Sequence, residues 1–324
     1  MHLFQSRRFG RCGGIRFLSP LNIMNFLDIR TDFAFKKVFG SEDSKDILLS
    51  FLNALIDFAD DRRITDLTIV DPYNIPMLKG MKDTFVDVKA QLNDGSRVII
   101  EMQVLSHEGF EKRILYNAAK NYSTQLNQGE VFNLLNPVIA LTLTDFVLFP
   151  AQPLINSFKL LEKERFIEYS GDIELLFVEL PKFTKTELEL ENIQDKWLYF
   201  IKNAGKLDYV PKNMEQELGK AFAIANEGNL SREELDLQHR KRDFIMIQKA
   251  SVEQGVKQGI AQGIKQGIEQ GIEQGIEQGV KQGIEQSRRI TIINAHQAGL
   301  PIDTIAQIVQ LTVADVEAVL AQLR

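Results

Sequence analysis

Residues 84–104, TFVDVKAQLNDGSRVIIEMQV, restrict the fold more than any other part of the chain. Two runs of alternating apolar and polar residues flank Asn93-Asp94-Gly95-Ser96, a turn-forming cluster, and so predict a β-hairpin. Side chains alternate along a strand, which groups Val86, Val88, Ala90 and Leu92 on one face and leaves Asp87, Lys89 and Gln91 on the other. On the second run Val98, Ile100, Met102 and Val104 share a face opposite Glu101 and Gln103. Both apolar sets enter one core only if paired positions sum to an even number, which requires an odd loop or a bulge. A three-residue loop over Asp94–Ser96 is expected; it sets Asp87 across from Gln103, with Glu101 diagonally within reach.

The polar face therefore gathers two carboxylates and an amide. Converging carboxylates attract a hard divalent cation such as Mg²⁺, which takes oxygen ligands and keeps several waters. Such an ion activates water and neutralises charge on a phosphoryl group during in-line displacement. The bland alternative is a solvated hairpin face whose charges serve solubility, and Asp…Glu-x-Gln alone does not separate the two.

With the hairpin read this way, DVKAQLNDGSRVIIEMQ resembles the signature of the PD-(D/E)xK nuclease superfamily, and within it the Rpn branch of recombination-promoting nucleases and transposases. The resemblance implies Asp87 and Glu101 as metal ligands, with Mg²⁺ or Mn²⁺ as the ion, and Gln103 as the third catalytic position where most of the superfamily has Lys. Glutamine orients water by hydrogen bonds but supplies neither positive charge nor a base. A second likeness lies at DFAFKKVF (32–39), similar to an opening segment of the same branch. It implies Asp32 as a third acidic group near the metal; its other reading is a helix cap.

The 324 residues carry a formal net charge of -6, so any DNA surface must be a local basic patch in an acidic shell. The single cysteine, Cys12, excludes an intramolecular disulfide and fits a reducing cytoplasm. His2, His107, His239 and His296 lack zinc-site spacing. No apolar run approaches the roughly 20 residues needed to span a bilayer. Residues 1–23 carry Arg7, Arg8, Arg11 and Arg16 without an acid, but Gly10, Gly13 and Gly14 interrupt them; a disordered extension ahead of a natural start at Met24 is expected, rather than a secretion signal.

From Met24 the pattern predicts two helices broken at Gly40-Ser41, the first capped by Thr31 or Asp32 and the second burying Ile47, Leu48, Phe51, Leu52 and Leu55. A strand over 64–70, a loop holding Pro76 and Gly80, and the hairpin follow. Residues 107–126 predict a helix with Phe110, Ile114, Ala118, Tyr122 and Leu126 on one side. Lys112, Arg113, Tyr116 and Lys120 lie elsewhere on that helix, where the cations can meet phosphates or solvent. PVIALTL (137–143) and 173–180 predict buried strands separated by a connection. Trp197 is assigned to packing.

From Gly255 to Gly283 glycine returns every fourth residue, preceded by Gln and followed by Ile or Val. A period of four exceeds the helical turn of 3.6, so each residue type drifts about 40° per repeat and no fixed apolar stripe results. Each glycine also disfavours a helix by about 1 kcal/mol relative to alanine. The repeat is either a linker or a helix that needs a partner following its winding stripe. The tail predicts short helices broken at Gly299-Leu300-Pro301 and Leu311-Thr312, with Thr312 and Asp315 as a capping box. Asp315 and Glu317 at the start of its last helix favour partner contact or dimerisation over DNA reading.

The expected fold class is α/β, a restriction-endonuclease-like core with a mixed β-sheet flanked by helices, followed by an all-α extension. The expected organisation is an extension (1–23), a nuclease-like domain (24–182), a helical subdomain (183–250), the repeat (251–286) and a helix-turn-helix-like tail (287–324). The leading functional expectation is a cytoplasmic, Mg²⁺-dependent DNA endonuclease that promotes recombination, self-associating through 251–324 and making no membrane contact. The alternatives are a catalytically weak DNA-binding module and a structural assembly protein in which the repeat is the functional part.

Overall fold

The computed structural model describes residues 24–57, 63–74 and 84–322. The extension over 1–23, with Cys12, and the loop holding Pro76 and Gly80 lie outside the described residues. The chain divides into two compact units, the first ending at Gln248 and the second beginning at Lys249.

The first unit opens with helices α1 (Asp32–Phe39) and α2 (Lys45–Leu55). Thr31 caps α1, its side chain accepting from the Ala34 N–H at 3.3 Å, and Asp32 occupies the first helical position. Strand β1 (Leu67–Val70) precedes a two-stranded ribbon, β2 (Tyr73–Asn74) and β3 (Thr84–Phe85), and then the hairpin strands β4 (Val88–Leu92) and β5 (Arg97–Gln103). Helix α3 (Phe110–Ser123), strands β6 (Val138–Thr144), β7 (Ile155–Leu161) and β8 (Glu168–Glu179), and helices α4 (Ile193–Asn203) and α5 (Gln216–Ala225) complete the succession before the long helix α6 (Arg232–Gln297).

Six strands form one mixed sheet in the order β1-β4-β5-β6-β8-β7. The β5–β6 and β6–β8 pairs are parallel and the others antiparallel. This is the expected α/β class. Every residue of β6 is buried, as its unbroken apolar run requires of a central strand covered on both faces. One face carries Val88, Ala90, Leu92, Val98, Ile100 and Met102 into a large core with Phe35, Phe39, Phe51, Trp197, Phe200 and Phe222. Helices α4 and α5 thus share the core of α1 and α2. Trp197 is fully buried, its ring 5.7 Å from that of Phe51 and its Nε1–H donating to Ser50 Oγ at 3.2 Å. The other face packs Ile99, Val138, Ala140 and Phe177 against Phe110, Ile114 and Ala118 of α3. Glu101 and Gln103 belong to this second face by the period of two. Val86, expected on the first face with Val88, packs on this one instead, because the chain bends at Asp87 between them.

The hairpin corrects one expectation. Val88 pairs with Ile100 and Gln91 with Arg97, so the even parity holds. The loop is Asn93–Gly95, with the Leu92 N–H donating to the Ser96 carbonyl at 2.8 Å. The register is therefore shifted by two from the Asp94–Ser96 expectation, and its continuation sets Asp87 beside Glu101 rather than Gln103. Gly95 decides the shift, because it takes a φ of +89°. A three-residue hairpin loop places its left-handed residue last, and glycine alone reaches that conformation without strain.

Strand β7 falls in the connection where no strand was expected. It pairs antiparallel with β8 at the sheet edge and is mostly exposed, so its sequence INSFKLL shows no buried face.

In the second unit the helix continues unbroken through the repeat. Val256, Ile260, Ile264, Ile268, Ile272, Ile276, Val280 and Ile284 stay exposed, Ile276 at 63%. Beyond a turn with Gly299 at φ +82°, helices α7 (Ile302–Val309) and α8 (Val313–Ala321) pack Ile305, Val309 and Val316 onto Ile292. Thr312 and Asp315 form the expected capping box. Among the described residues no single helix is long and apolar enough to cross a membrane.

Candidate active site

Asp87 interrupts the ladder between β3 and β4. Its N–H donates to the Ile100 carbonyl at 3.0 Å, and its carboxylate accepts from the Met102 N–H at 2.8 Å. The backbone of β5 thereby fixes the carboxylate beside Glu101. Lys36 of α1 lies 3.3 Å from the other Asp87 oxygen. Burial pushes the Asp87 carboxyl above the usual carboxylate range, against the Met102 N–H and Lys36, which pull it down.

Glu101 projects toward α3 and is buried. Asn117 donates to one of its oxygens at 2.6 Å and Arg113 to the other at 3.0 Å. Burial raises this carboxyl too; Arg113 and Asn117 oppose the shift, while the charge of Asp87 adds to it. Two desolvated carboxylates that repel each other are held between two cations.

Gln103 ends β5 with both ends of its amide engaged. Oε1 accepts from Arg113 Nη2 at 2.8 Å, and Nε2 donates to the Leu105 carbonyl at 2.8 Å. Its backbone carbonyl accepts from the Asp145 N–H at 2.9 Å. Arg30 grips Asp28 at 2.7 Å and Asp145 at 3.1 Å, which pins that end of the sheet. The Asp28 hydrogen bond, with both carboxylate charges, holds the Arg30 guanidinium above its ordinary pKa despite burial.

Asp32 stands apart from the pair. Its carboxylate binds Lys241 of α6 at 3.0 Å, yet its charge still reaches Asp87 and raises it. Among the described residues no group of three His, Cys, Asp or Glu side chains converges for a metal. The chemistry of the donor set fits a hard divalent cation that keeps several waters, with Asp87 and Glu101 as its two carboxylates. It does not form an all-protein cage.

Sequence reasoning missed Lys36, Lys241 and Asn117, and left Arg113 among surface cations. A signal existed: Arg113, Asn117 and Asn121 recur at four-residue steps, a polar stripe beside the apolar stripe Phe110, Ile114 and Ala118. The helix lays this stripe along β5, where Arg97 Nη1 also donates to the Asn121 carbonyl at 3.4 Å. Lys120, expected at the surface, is buried with its Nζ 5.9 Å from the centre of the Tyr116 ring. Lys89 lies on the same sheet face, and burial, with Arg97 and Lys120 nearby, lowers its pKa. The site thus combines a desolvated carboxylate pair with cations on the same sheet face and on α3.

No curated protein and no solved structure matches the chain. A family model does, described as PD-(D/E)XK nuclease family transposase, over residues 29–255. Nucleases of that superfamily usually use divalent metals. The match takes in both carboxylates, Gln103, Arg113 and the helices that close the core, and the chain belongs to the PD-(D/E)XK nuclease family transposases.

Proposed function

We propose that the protein is a Mg²⁺-dependent DNA endonuclease, cytoplasmic and acting in DNA mobility or recombination. The observation that carries this reading is the Asp87–Glu101 pair, two carboxylates brought together on one hairpin and desolvated there. Such a site is costly to build without a ligand, because burial disfavours both charges and each disfavours the other. A bound divalent cation activates a water and offsets charge on the phosphoryl group. The Met102 N–H and Asn117 orient the two carboxylates toward it, and Lys36 and Arg113 balance their charge when it is absent. Each end of the Gln103 amide makes one bond to protein, which fixes its orientation and leaves a second N–H and a second lone pair for a water.

Supercoiled plasmid incubated with Mg²⁺ or Mn²⁺ tests the proposal. Nicking is expected for the wild type and is abolished by EDTA, by Asp87→Ala and by Glu101→Ala. Unchanged nicking in both variants would assign the cleavage to a contaminant. DNA binding without nicking by the wild type would favour the catalytically weak binding module instead.

We also propose that a second copy pairs along the repeat. Of the charged positions from 255 to 286, Lys257 and Lys265 lie in the first half, and Glu269, Glu273, Glu277, Lys281 and Glu285 lie from the middle onward. Parallel, in-register pairing sets each charge against its own copy. An antiparallel pair with its twofold axis at Gly271 sets Lys257 beside Glu285 and Lys265 beside Glu277, leaving Glu269 facing Glu273 and Lys281 facing the neutral Ala261. Charge therefore favours the antiparallel arrangement.

A further inference from the structure

We infer that Arg113 binds a non-bridging phosphate oxygen of the strand being cut, and that Gln103 is its positioning residue. This deepens the nuclease reading and rests on it. Position 103 is neutral, so a positive charge for the phosphoryl group must come from elsewhere in space, and the geometry identifies its source. Arg113 Nη2 is shared between Gln103 Oε1 at 2.8 Å and Glu101 Oε2 at 3.0 Å. Because Gln103 Nε2 donates to the Leu105 carbonyl, the oxygen end of the amide must face the guanidinium. Glutamine supplies the neutral acceptor that this arrangement needs. A lysine there would set a second cation against Arg113.

The guanidinium is anchored without being used up. It lies 5.5 Å from the centre of the Phe110 ring; its Nε is buried with no hydrogen-bond partner and faces the protein, while the side chain remains 38% exposed, so the donors open to a ligand are those of the Nη groups. A planar fork with unspent donors, one contact away from a carboxylate that suits a metal, matches the needs of a phosphodiester oxygen. Lys36 meets Asp87 as a point charge from the opposite side and offers no such fork.

The test uses the full chain and two readouts. In EDTA, binding of a fluorescent DNA duplex is titrated at several salt concentrations. Arg113→Gln keeps a hydrogen-bond donor but not the charge, and is expected to weaken binding several-fold and to reduce the slope of log K against log[salt] by about 1. An unchanged slope overturns the proposal. In plasmid nicking, Gln103→Lys alone is expected to lose most activity, and combining it with Arg113→Met to recover at least about tenfold over either single variant. Wild-type activity in Gln103→Lys overturns the coupling. A wild type that nicks in no metal sinks the nuclease reading, while the salt slope still decides whether Arg113 meets a phosphate. Thermal melts establish that each variant is folded.

Discussion

Replacing Gly263, Gly267, Gly271, Gly275 and Gly279 by alanine separates the two ways the repeat can exist. A Cβ built on any of the eight repeat glycines from Gly255 to Gly283 meets nothing within 4 Å. Within one chain each substitution therefore only relieves the glycine penalty of about 1 kcal/mol, or about 5 kcal/mol for the five. The eight glycines together disfavour the helix by about 8 kcal/mol, as large as the stability of many whole domains. Something must offset that, and the eight exposed Ile and Val side chains following these glycines are the available source. Burying the exposed half of each against a partner contributes roughly 1 kcal/mol per side chain, or about 8 kcal/mol per helix. On the proposed pairing the bare glycines let the partner's backbone approach closely as it follows the winding Ile stripe. Far-UV circular dichroism and sedimentation equilibrium should then move in opposite directions for the five-alanine variant: greater helicity and a weaker dimer. A wild type that stays monomeric at every concentration while fully helical would refute the reasoning. So would a variant whose self-association is unchanged.

Other consequences follow from the site and the core. Asp87 and Glu101 have folded pKa values above the ordinary carboxylate range, so both must lose protons to bind a cation, and nicking is expected to fall on acidification at a higher pH than ordinary carboxylates would give. The stability sign is the converse: a raised folded pKa contributes stability below the unfolded pKa and loses it as pH rises through the folded one. Asp87→Asn should therefore melt above the wild type at neutral pH in EDTA, with the gap closing as pH falls and also when Mg²⁺ is added. Trp197→Ala should destabilise the first unit by about 3–5 kcal/mol in urea, because a fully enclosed indole leaves a cavity among Phe39, Phe51 and Phe200. Gly95→Ala should lose about 1–2 kcal/mol through its left-handed backbone, and the new methyl would also come 2.5 Å from Asn136 Oδ1. Since that turn sets the hairpin register, nicking should drop further than the melting temperature implies.

Much of the fold was legible along the chain. Alternation in 84–104 located the hairpin and, except at Val86, its two faces; the unbroken run at 137–143 marked a central strand, and the spacing in 45–55 marked a buried helix face. These signals are local, and burial imposes them with a period of 2 or 3.6. Strand β7 was not legible because an edge strand buries little and so has no pattern to impose. The pairing of Asp87 with Glu101 was half legible: parity came from burial, but the register depended on which turn residue takes positive φ. Arg113 was half legible as well: it was placed on α3 facing phosphate or solvent, but its contact with Glu101 was not foreseen. A cation beside an apolar stripe looks the same whether it meets water or a buried carboxylate, and what α3 packs against is not written in α3.

The sequence by itself determined the α/β class, the acidic hairpin face and the helix-breaking chemistry of the repeat, because side-chain periodicity and backbone preference act within a few residues. Only the tertiary structure decided that Lys36 and Arg113 close on the two carboxylates and that Asp32 turns to Lys241. Those contacts join strands and helices far apart in the chain, and their strength depends on the water that packing removes from around them.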